Sequence, residues 1–308
     1  MTASGEERWR APSFVAAAHA WIDERLDGLG LARTGEVEQP HVRDWATAMR
    51  VPTDRGVVWF KANVEALAHE AAVLELVAAR SAGRVPTPLA RDPRTGWMLT
   101  ADAGQRLREA VEVERSLERW LDVLEACARV QLACEDDVDA LLALGLPDCR
   151  LETLPAAYAD LLAGLEDTDP RLPGREKVEE MCRELAAYGI RETVQHDDLH
   201  DGQVFLGTGT HLLLDWGDAC VSHPFFTLSV TLEGVIAWGV DDEEHSEDVE
   251  PYLAAYLTPY RERYDGDLRD AARLAMRLGW ICRAVNGALP QDPDGTRTRL
   301  KMFLDGVP

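Results

Sequence analysis

The chain has 308 residues, of which 46% are hydrophobic, and its 55 acidic and 32 basic residues give a formal net charge of −23. This length is ample for a buried core and suggests two lobes or domains. No apolar run approaches the roughly 20 residues that span a bilayer, and the first ten residues lack the apolar segment of a signal peptide. The acidic balance excludes an ordinary nucleic-acid-binding surface, whereas it favours a cationic small molecule or serves solubility alone.

The cysteine pattern points to the cell interior. No pair has the C-x-x-C spacing of a structural zinc or redox motif, and the spacing is irregular. Free thiols in a cytoplasmic protein are therefore predicted. The six cysteines are Cys127, Cys134, Cys149, Cys182, Cys220 and Cys282.

The first hundred residues begin with a helix and continue as strands. Apolar residues recur at helical spacing from Pro12 to Leu29, which predicts an N-terminal helix. Residues 36–63 are rich in strand formers around a turn at 52–56, so two or three antiparallel strands are expected. Lys61 directly follows the apolar strand at 57–60.

A second helix and a further strand follow. Residues 64–82 have a helical apolar face and also carry Glu70 and Glu75. The prolines of 84–88 end this helix, and residues 97–100 read as a strand that runs into a loop. Beyond residue 107 most of the chain is predicted to be helical, with helices near 117–133, 154–165, 176–188, 227–240, 249–264 and 268–286.

The stretch from Thr193 to Phe226 is unusually rich in polar and titratable side chains. Apolar runs at 204–206 and 212–214 predict a hairpin with a polar cluster at each end, because short strands flank a Gly/Thr turn at 207–210. Carboxylates are rarely buried unless they are paired or bound, so such clusters indicate a functional site. The polar residues are His196, Asp197, Asp198, His200, Asp201, Gln203, Asp215 and Asp218.

The residue types in this stretch limit its chemistry. Asp198 is able to accept a proton from a hydroxyl group, and Gln203 and Asp215 offer the oxygen ligands that suit Mg²⁺. A zinc site is the alternative, because His196 and His200 are four residues apart around an acid. A third zinc ligand is not evident, and Gly202 disfavours the helix that this spacing requires.

The two polar clusters resemble a known family. The runs HDDLHDGQ at 196–203 and LDWGD at 214–218 are similar to the H-G-D-L-H-x-G-N and I-D-[FW]-G-D motifs of the aminoglycoside phosphotransferase group. The resemblance implies that Asp198 is the catalytic residue and that Asp215 and Gln203 bind Mg²⁺. Gln203 replaces the usual Asn and moves the amide oxygen about 1.5 Å further along the side chain, and Asp197 replaces the usual Gly.

The same resemblance implies an α+β, bilobal, protein-kinase-like fold. Its smaller lobe, 1–102 with the helix at 12–29, has an antiparallel sheet and would bind nucleotide; its larger, mainly helical lobe, 103–308, would carry catalysis and substrate binding. The strand lysine that holds ATP phosphates corresponds to Lys61. Its acidic partner is expected to be Glu70 rather than Glu75, and adenine is expected at the backbone of 100–102, that is, from Thr100 to Asp102.

The implied activity is transfer of the γ-phosphoryl group of ATP, or of GTP, to a hydroxyl group of a small molecule, with Mg²⁺ as cofactor. An aminoglycoside or another hydroxylated antibiotic is the expected acceptor, as in a resistance enzyme. A metabolite kinase for choline, homoserine or a sugar and a non-catalytic nucleotide-binding protein are the alternatives. The acidic run at 241–250 is either a solvated segment or a surface that recognises amino groups.

Overall fold

The fold was analysed in a computed structural model, which describes residues 5–207, 209–241, 243, 246–288 and 292–305. The chain forms two compact units. The first contains the residues up to Gly104 together with Asp215–Gly217, and the second contains Gln105–Leu214 and the residues from Asp218 onward. Within the described residues, no helix combines the length and the apolar character needed to cross a membrane.

The first unit consists of helices and one antiparallel sheet. Its strands lie in the order β1-β2-β3-β5-β4, so the neighbours β1, β2 and β3 form a meander. The helices are α1 (Gly5–Arg10), α2 (Pro12–Leu29) and α3 (Glu70–Arg80), and the strands are β1 (Glu38–Val42), β2 (Ala46–Thr53), β3 (Gly56–Asn63), β4 (Ala90–Arg91) and β5 (Met98–Ala101).

Helix α2 supplies much of the core of the first unit. Its buried residues Trp21, Ile22 and Leu26 belong to one cluster with Phe60 of β3 and Leu99 of β5. The rings of Trp21 and Phe60 lie 5.7 Å apart. The predicted N-terminal helix is therefore confirmed, with the boundaries that its periodicity gave.

The second unit is mainly helical. Two small sheets, β6-β8-β9 and β7-β10, hold the loops that follow their strands. The helices are α4 (Leu107–Glu114), α5 (Trp120–Ala133), α6 (Val138–Ala143), α7 (Leu154–Gly164), α8 (Arg175–Ala186), α9 (Glu250–Arg261), α10 (Leu268–Asn286) and α11 (Pro293–Asp305). The strands are β6 (Gln105–Arg106), β7 (Thr193–Gln195), β8 (Val204–Gly207), β9 (Thr210–Leu213) and β10 (Cys220–Ser222).

A buried hydrogen-bond network ties helices α5 and α9 to the chain after β10. The side chain of Gln131 on α5 donates to the carbonyl of Pro224 and accepts from the hydroxyl of Tyr256 on α9, at 3.1 and 2.6 Å. Such a network satisfies polar groups that would otherwise be costly to bury. It fixes the chain that leaves the second polar motif.

The segment predicted as a helix at 227–240 is different in the structure. It contains a π-helical turn at Ser229–Glu233 and a 3-10 turn at Ile236–Trp238. Glycines at 234 and 239 and several β-branched residues explain the difference, because both disfavour a continuous α-helix. The apolar side chains that suggested a helix are buried by these turns instead, as Leu232 and Ile236 are.

Helix α11 was not predicted, since α10 was expected to be the last helix. Its signals are present in the sequence: Pro293 lies in the first turn, and Thr296, Leu300 and Phe303 are buried at helical spacing. Charged residues around these three positions hide the pattern. The predicted turn at 207–210 contains Thr208, which lies outside the described residues.

Candidate active site

In the first unit, Lys61 lies between two carboxylates. Its Nζ is 2.8 Å from Oε1 of Glu70 and 2.6 Å from Oδ1 of Asp215, which is 154 positions away in sequence. Strand β3 presents Lys61, and Glu70 is the first residue of α3. The fold thus brings together Lys61, its expected partner Glu70 and Asp215 of the second motif.

The charges of this cluster keep the lysine protonated. Burial lowers the pKa of Lys61, but the carboxylates of Asp215 and Glu70 outweigh that effect and hold the pKa above its ordinary value. The Lys61 side chain is 21% exposed and the Asp215 side chain 42%, whereas Glu70 is almost fully buried. A permanent positive charge with partial access to solvent is suited to an anionic ligand.

Glu70, and not Glu75, is the acid that pairs with Lys61. The other carboxylate oxygen of Glu70 accepts a 2.6 Å hydrogen bond from Nδ2 of Asn63, while Glu75 pairs with Arg91 at 2.8 Å. Asn63 was not predicted as a site residue. It follows Lys61 by two positions, and so lies on the same face of β3.

The backbone after β9 turns sharply to deliver Asp215. This residue has a φ of 62°, a left-handed conformation that non-glycine residues seldom adopt. His69 Nε2 lies 3.1 Å from the carbonyl oxygen of Gly217 and fixes the turn. Gly217 lies against both carboxylates: a Cβ there would be in van der Waals contact with Glu70 at 3.4 Å and with Asp215 at 3.7 Å.

Thr100 and Asp102 lie at the end of β5 and beyond it. Thr100 pairs with Trp59 in the β3–β5 ladder, and the Asp102 carboxylate accepts a 3.1 Å hydrogen bond from the indole of Trp59. The side chain of Asp102 therefore has a structural task. The expected contact of this segment with adenine stays a prediction.

In the second unit, Asp198 is held by an arginine from a distant helix. Nη2 of Arg283, on α10, lies 2.9 Å from Oδ1 of Asp198, and Nε2 of His200 lies 3.6 Å from Oδ2. The Asp198 side chain is 27% exposed. One oxygen is thus fixed by a cation while the carboxylate still reaches solvent, which suits a residue that must meet a substrate.

Arg283 contacts three carboxylates. Besides Asp198, it lies 3.5 Å from Asp197 and 3.0 Å from Asp218. Its side chain is only 10% exposed; burial lowers its pKa, but the three acids, Asp218 first, raise it well above the usual range. Arg283 thus pairs with acids from both polar motifs of the 193–226 stretch.

Asp197 is buried behind the loop that carries Asp198. Its φ is 62°, which explains why glycine is usual at this position of the motif. Its carboxylate accepts a 2.7 Å hydrogen bond from Asn286 and a 3.3 Å bond from Gln195. Burial raises the pKa of Asp197 to about 7, against the opposing effects of Arg283 and Asn286. Asp197 thus places a buried, hydrogen-bonded carboxyl group where the family motif has glycine.

The two histidines of the motif support the loop. His196 Nε2 lies 2.7 Å from the carbonyl oxygen of Leu214, and His200 Nδ1 accepts a 3.0 Å hydrogen bond from the backbone N–H of Gly202. A Cβ at Gly202 would lie 2.7 Å from the His200 ring, so this close approach requires glycine. Among the described residues, neither histidine belongs to a group of three possible metal ligands, which argues against the zinc alternative.

Gln203 closes the same loop through its backbone. Its N–H donates to the carbonyl of His200, and its carbonyl accepts from the N–H of Leu214, both at 2.9 Å. The Gln203 amide and the Asp215 carboxylate fit Mg²⁺ by chemistry, because both offer hard oxygen donors. The acidic run at 241–250 is described only in part, since Asp242 and Glu244 lie outside the described residues.

A lysine paired with a helix glutamate, an Asp-x-Gly turn and an aspartate in a separate loop motif are typical of protein-kinase-like phosphotransferases. A family model described as the phosphotransferase enzyme family, APH, matches residues 50–266. The chain belongs to this family and is a phosphotransferase with a hydroxyl group as acceptor. The predicted family, fold class and type of enzyme are thereby confirmed.

Solved structures show the same fold at low sequence identity. A choline/ethanolamine kinase family protein from Mesorhizobium loti has a TM-score of 0.61 and 15% identity, with 89% of each chain covered. The GDP complex of aminoglycoside 2'-phosphotransferase-IIIa has a TM-score of 0.59 and 13% identity, with 94% of this chain and 98% of that chain covered.

A third structure, a Plasmodium vivax ethanolamine kinase, has a TM-score of 0.58 and 10% identity, with 92% of this chain and 86% of that chain covered. The comparison with curated proteins found no match. The names of these structures contain different substrates, and at such low identity the similarity shows only a common fold. It does not assign a substrate to this chain.

Proposed function

We propose that the protein transfers the γ-phosphoryl group of ATP to a hydroxyl group of an aminoglycoside or another hydroxylated antibiotic. The observation that carries the proposal is Lys61, held protonated at 2.8 Å from Glu70 and 2.6 Å from Asp215. The two carboxylates come from distant parts of the chain, fix the position of the ammonium group and keep its charge, as a phosphate-binding lysine requires.

Asp198 is the proposed catalytic residue. Arg283 holds one of its oxygens, so the acceptor hydroxyl would donate its hydrogen bond to the other. As the hydroxyl oxygen forms its bond to the γ-phosphorus, the bond from that phosphorus to the bridging oxygen of ATP breaks and ADP leaves with the electron pair. The hydroxyl proton passes to the carboxylate of Asp198.

Lys61 would bind the α- and β-phosphates of the nucleotide. Its ammonium group compensates the charge of the phosphates and holds them in place, and Glu70 orients the ammonium group. Thr100 to Asp102 would bind adenine through their backbone. These roles are proposals that follow from the positions of the residues in the first unit.

Asp215 and Gln203 are the proposed ligands of Mg²⁺, assigned on the chemistry of their oxygens. When bound, the ion would neutralise negative charge on the nucleotide phosphates. Glutamine keeps the amide donor that asparagine provides in the family motif, although about 1.5 Å further from the backbone.

An antibiotic is the favoured acceptor over a metabolite because of charge. The chain carries a net charge of −23, and many aminoglycosides are polycations that such a surface attracts. Choline and ethanolamine are cations too, and the names of two structural neighbours contain these amino alcohols. A metabolite kinase is therefore the second candidate, and the two must be separated by experiment.

The test is a phosphorylation panel with the full-length protein. Kanamycin, a macrolide, choline, ethanolamine and homoserine would each be offered with Mg²⁺ and with either ATP or GTP, and phosphorylated product would be detected by mass spectrometry. We expect a kcat/KM in the range of about 10⁴ M⁻¹s⁻¹ or higher for an antibiotic. A higher value for choline or ethanolamine would favour the second candidate.

The panel needs a catalytic control and a binding control. The Asp198→Asn variant separates transfer by this site from background transfer. Calorimetric titration with ATP and GTP, with and without Mg²⁺, shows whether nucleotide binds at all. Binding without transfer to any acceptor would favour the non-catalytic alternative, and a lack of nucleotide binding would contradict the whole proposal.

A further inference from the structure

Three of the six cysteines converge inside the second unit. Cys149 lies in the loop before α7, Cys220 begins β10, and Cys282 lies near the end of α10. The three Sγ atoms lie within 4.8 Å of one another, and those of Cys220 and Cys282 are 4.0 Å apart. The residues come from three separate parts of the chain, so their meeting is a property of the tertiary fold.

The cluster is buried and its backbone is well fixed. Cys149 is 2% exposed, and Cys220 and Cys282 are fully buried. The backbone N–H of Cys149 donates to the carbonyl of Val221 at 2.9 Å, which ties this loop to β10. The three sulfur atoms therefore share one buried environment, and their burial shields them from dissolved oxidants.

The spacing of the sulfur atoms suits a shared metal ion better than a disulfide. With metal–sulfur bonds of about 2.3 Å, sulfur ligands around one ion lie roughly 3.8–4.0 Å apart. The Cys220–Cys282 separation already has this value, and the remaining pairs need to shift by less than about 1 Å. A disulfide would need the two sulfur atoms to approach to about 2.05 Å.

One polar side chain contacts the cluster. The side-chain oxygen of Gln195 accepts a 3.4 Å hydrogen bond from the Cys220 thiol, and the Gln195 amide group donates to Asp197. Binding of a cation would displace the thiol proton, because a cysteine ligates a metal as its thiolate. The Gln195 contact therefore orients the Cys220 side chain but does not itself select a metal.

We propose that Cys149, Cys220 and Cys282 form a binding site for one thiophilic metal cation with a filled d shell, such as Zn²⁺ or Cd²⁺. The site is distinct from the oxygen donors assigned to Mg²⁺, because soft sulfur ligands select soft ions and hard oxygen ligands select Mg²⁺. The proposed metal site does not depend on the proposed acceptor. Gln195 links it to the loop that carries Asp197 and Asp198, because its side chain contacts both Cys220 and Asp197.

The test begins with metal-free, reduced full-length protein titrated with Cd²⁺. We expect one equivalent to bind, with the ultraviolet absorbance of sulfur-to-metal charge transfer and a rise in Tm. The Cys220→Ala and Cys282→Ala variants should lose both signals. The Cys127→Ala and Cys182→Ala variants should keep them, because these cysteines are also buried but lie outside the cluster.

Loss of the signal in the control variants as well, or its survival in both cluster variants, would overturn the proposal. Should a cluster variant fail to fold, X-ray absorption spectroscopy of the unmodified protein loaded with one equivalent of Zn²⁺ decides the question. Three sulfur ligands at about 2.3 Å would support the site. A shell made only of oxygen and nitrogen, or no retained metal, would overturn it.

Discussion

At the scale of single residues, the second unit is organised by the balance of one buried arginine against three acids. Arg283 is surrounded by Asp197, Asp198 and Asp218. Three carboxylates this close together would repel one another without a cation, and burial would increase the repulsion. The arginine therefore offsets the charge of these acids and fixes one oxygen of Asp198.

Replacing Asp198 with asparagine tests its catalytic role. The amide oxygen can still accept a hydrogen bond from Arg283, but the group no longer accepts a proton. We expect turnover to fall by about 10²-fold or more, while the nucleotide affinity measured by calorimetry stays within about threefold. Asp201→Asn is the control in the same loop, since Asp201 pairs with Arg108 instead. Equal losses in both variants would speak against a specific role for Asp198.

Replacing Arg283 with methionine tests the charge balance. The change leaves Asp197 buried without its cation, and we expect the free energy of unfolding to fall by about 3–5 kcal/mol. Arg273→Met on the same helix is the control, because Arg273 is 61% exposed in its ion pairs and should contribute less than about 1 kcal/mol. Urea unfolding monitored by tryptophan fluorescence measures both, and similar losses would refute the argument.

Sequence alone predicted the chemistry-bearing residues but only part of their surroundings. Asp198 and Asp215 stand in short motifs whose residue types and order are informative by themselves. Lys61 was identified from its position at the end of an apolar strand, together with those motifs. Asn286 and the three contacts of Arg283 depend on distances between residues that are far apart in the chain. The partner of Asn63, Glu70, is closer in sequence, but their contact depends on how α3 packs after β3. An arginine within a helix looks like any other in a sequence, because its partners are chosen by the tertiary fold.

At the scale of elements, the π-helical turn at Ser229–Glu233 places the carboxyl group of Glu233 where burial disfavours its charged form. Burial raises the pKa of Glu233 to about 7, although the indole of Trp280 on α10 donates a 2.6 Å hydrogen bond to it. A carboxyl group that prefers its proton in the folded state stabilises the fold at low pH. That contribution is full below about pH 4.5 and is lost as the pH rises through about 7.

The Glu233→Gln variant should remove this pH dependence. The amide keeps an acceptor for Trp280 and has no charge to desolvate. Relative to wild type, we expect the variant to gain about 3 kcal/mol in the free energy of unfolding between pH 5 and pH 8. Asp197 titrates in the same range in both proteins, so the difference between them isolates Glu233. A constant difference across this range would contradict the assignment.

Helix α2 stabilises the first unit through one buried face. Trp21 is 8% exposed against Phe60, whereas Trp45 is 42% exposed on the same unit. We expect Trp21→Ala to lower the free energy of unfolding by about 3–5 kcal/mol and Trp45→Ala by less than about 1 kcal/mol. Thermal and urea unfolding compare the two, and a similar cost for both would mean that α2 is weakly attached.

The elements also show where sequence patterns succeed and fail. Helix α2 and the β2–β3 hairpin were predictable because a strong local period agrees with the tertiary packing. The segment at 227–240 has an apolar composition without a helical period, and its two glycines decided against a helix. In helix α11 only three buried residues follow the helical period, and the charged and polar residues around them concealed it.

At the scale of the whole molecule, the excess of acidic residues acts on everything that approaches the protein. A net charge of −23 attracts cations and repels the nucleotide that the enzyme must also bind. In the proposed site, the positive charge of Lys61 would compensate this repulsion at the nucleotide phosphates. The acidic surface is then either a device for cationic acceptors or a means of staying soluble, and ionic strength distinguishes the two.

If the charge serves the acceptor, salt should affect the two substrates in opposite directions. The Debye length shrinks from about 30 Å at 0.01 M to about 8 Å at 0.15 M, so long-range attraction and repulsion are both screened. For a cationic acceptor that the enzyme phosphorylates, we expect kcat/KM to fall by about tenfold across this range. The kcat/KM for ATP should rise, because repulsion of the anionic nucleotide is screened as well. Steady-state kinetics with each substrate varied in turn measures both values, and a common direction would mean that salt acts on the enzyme itself rather than on encounter.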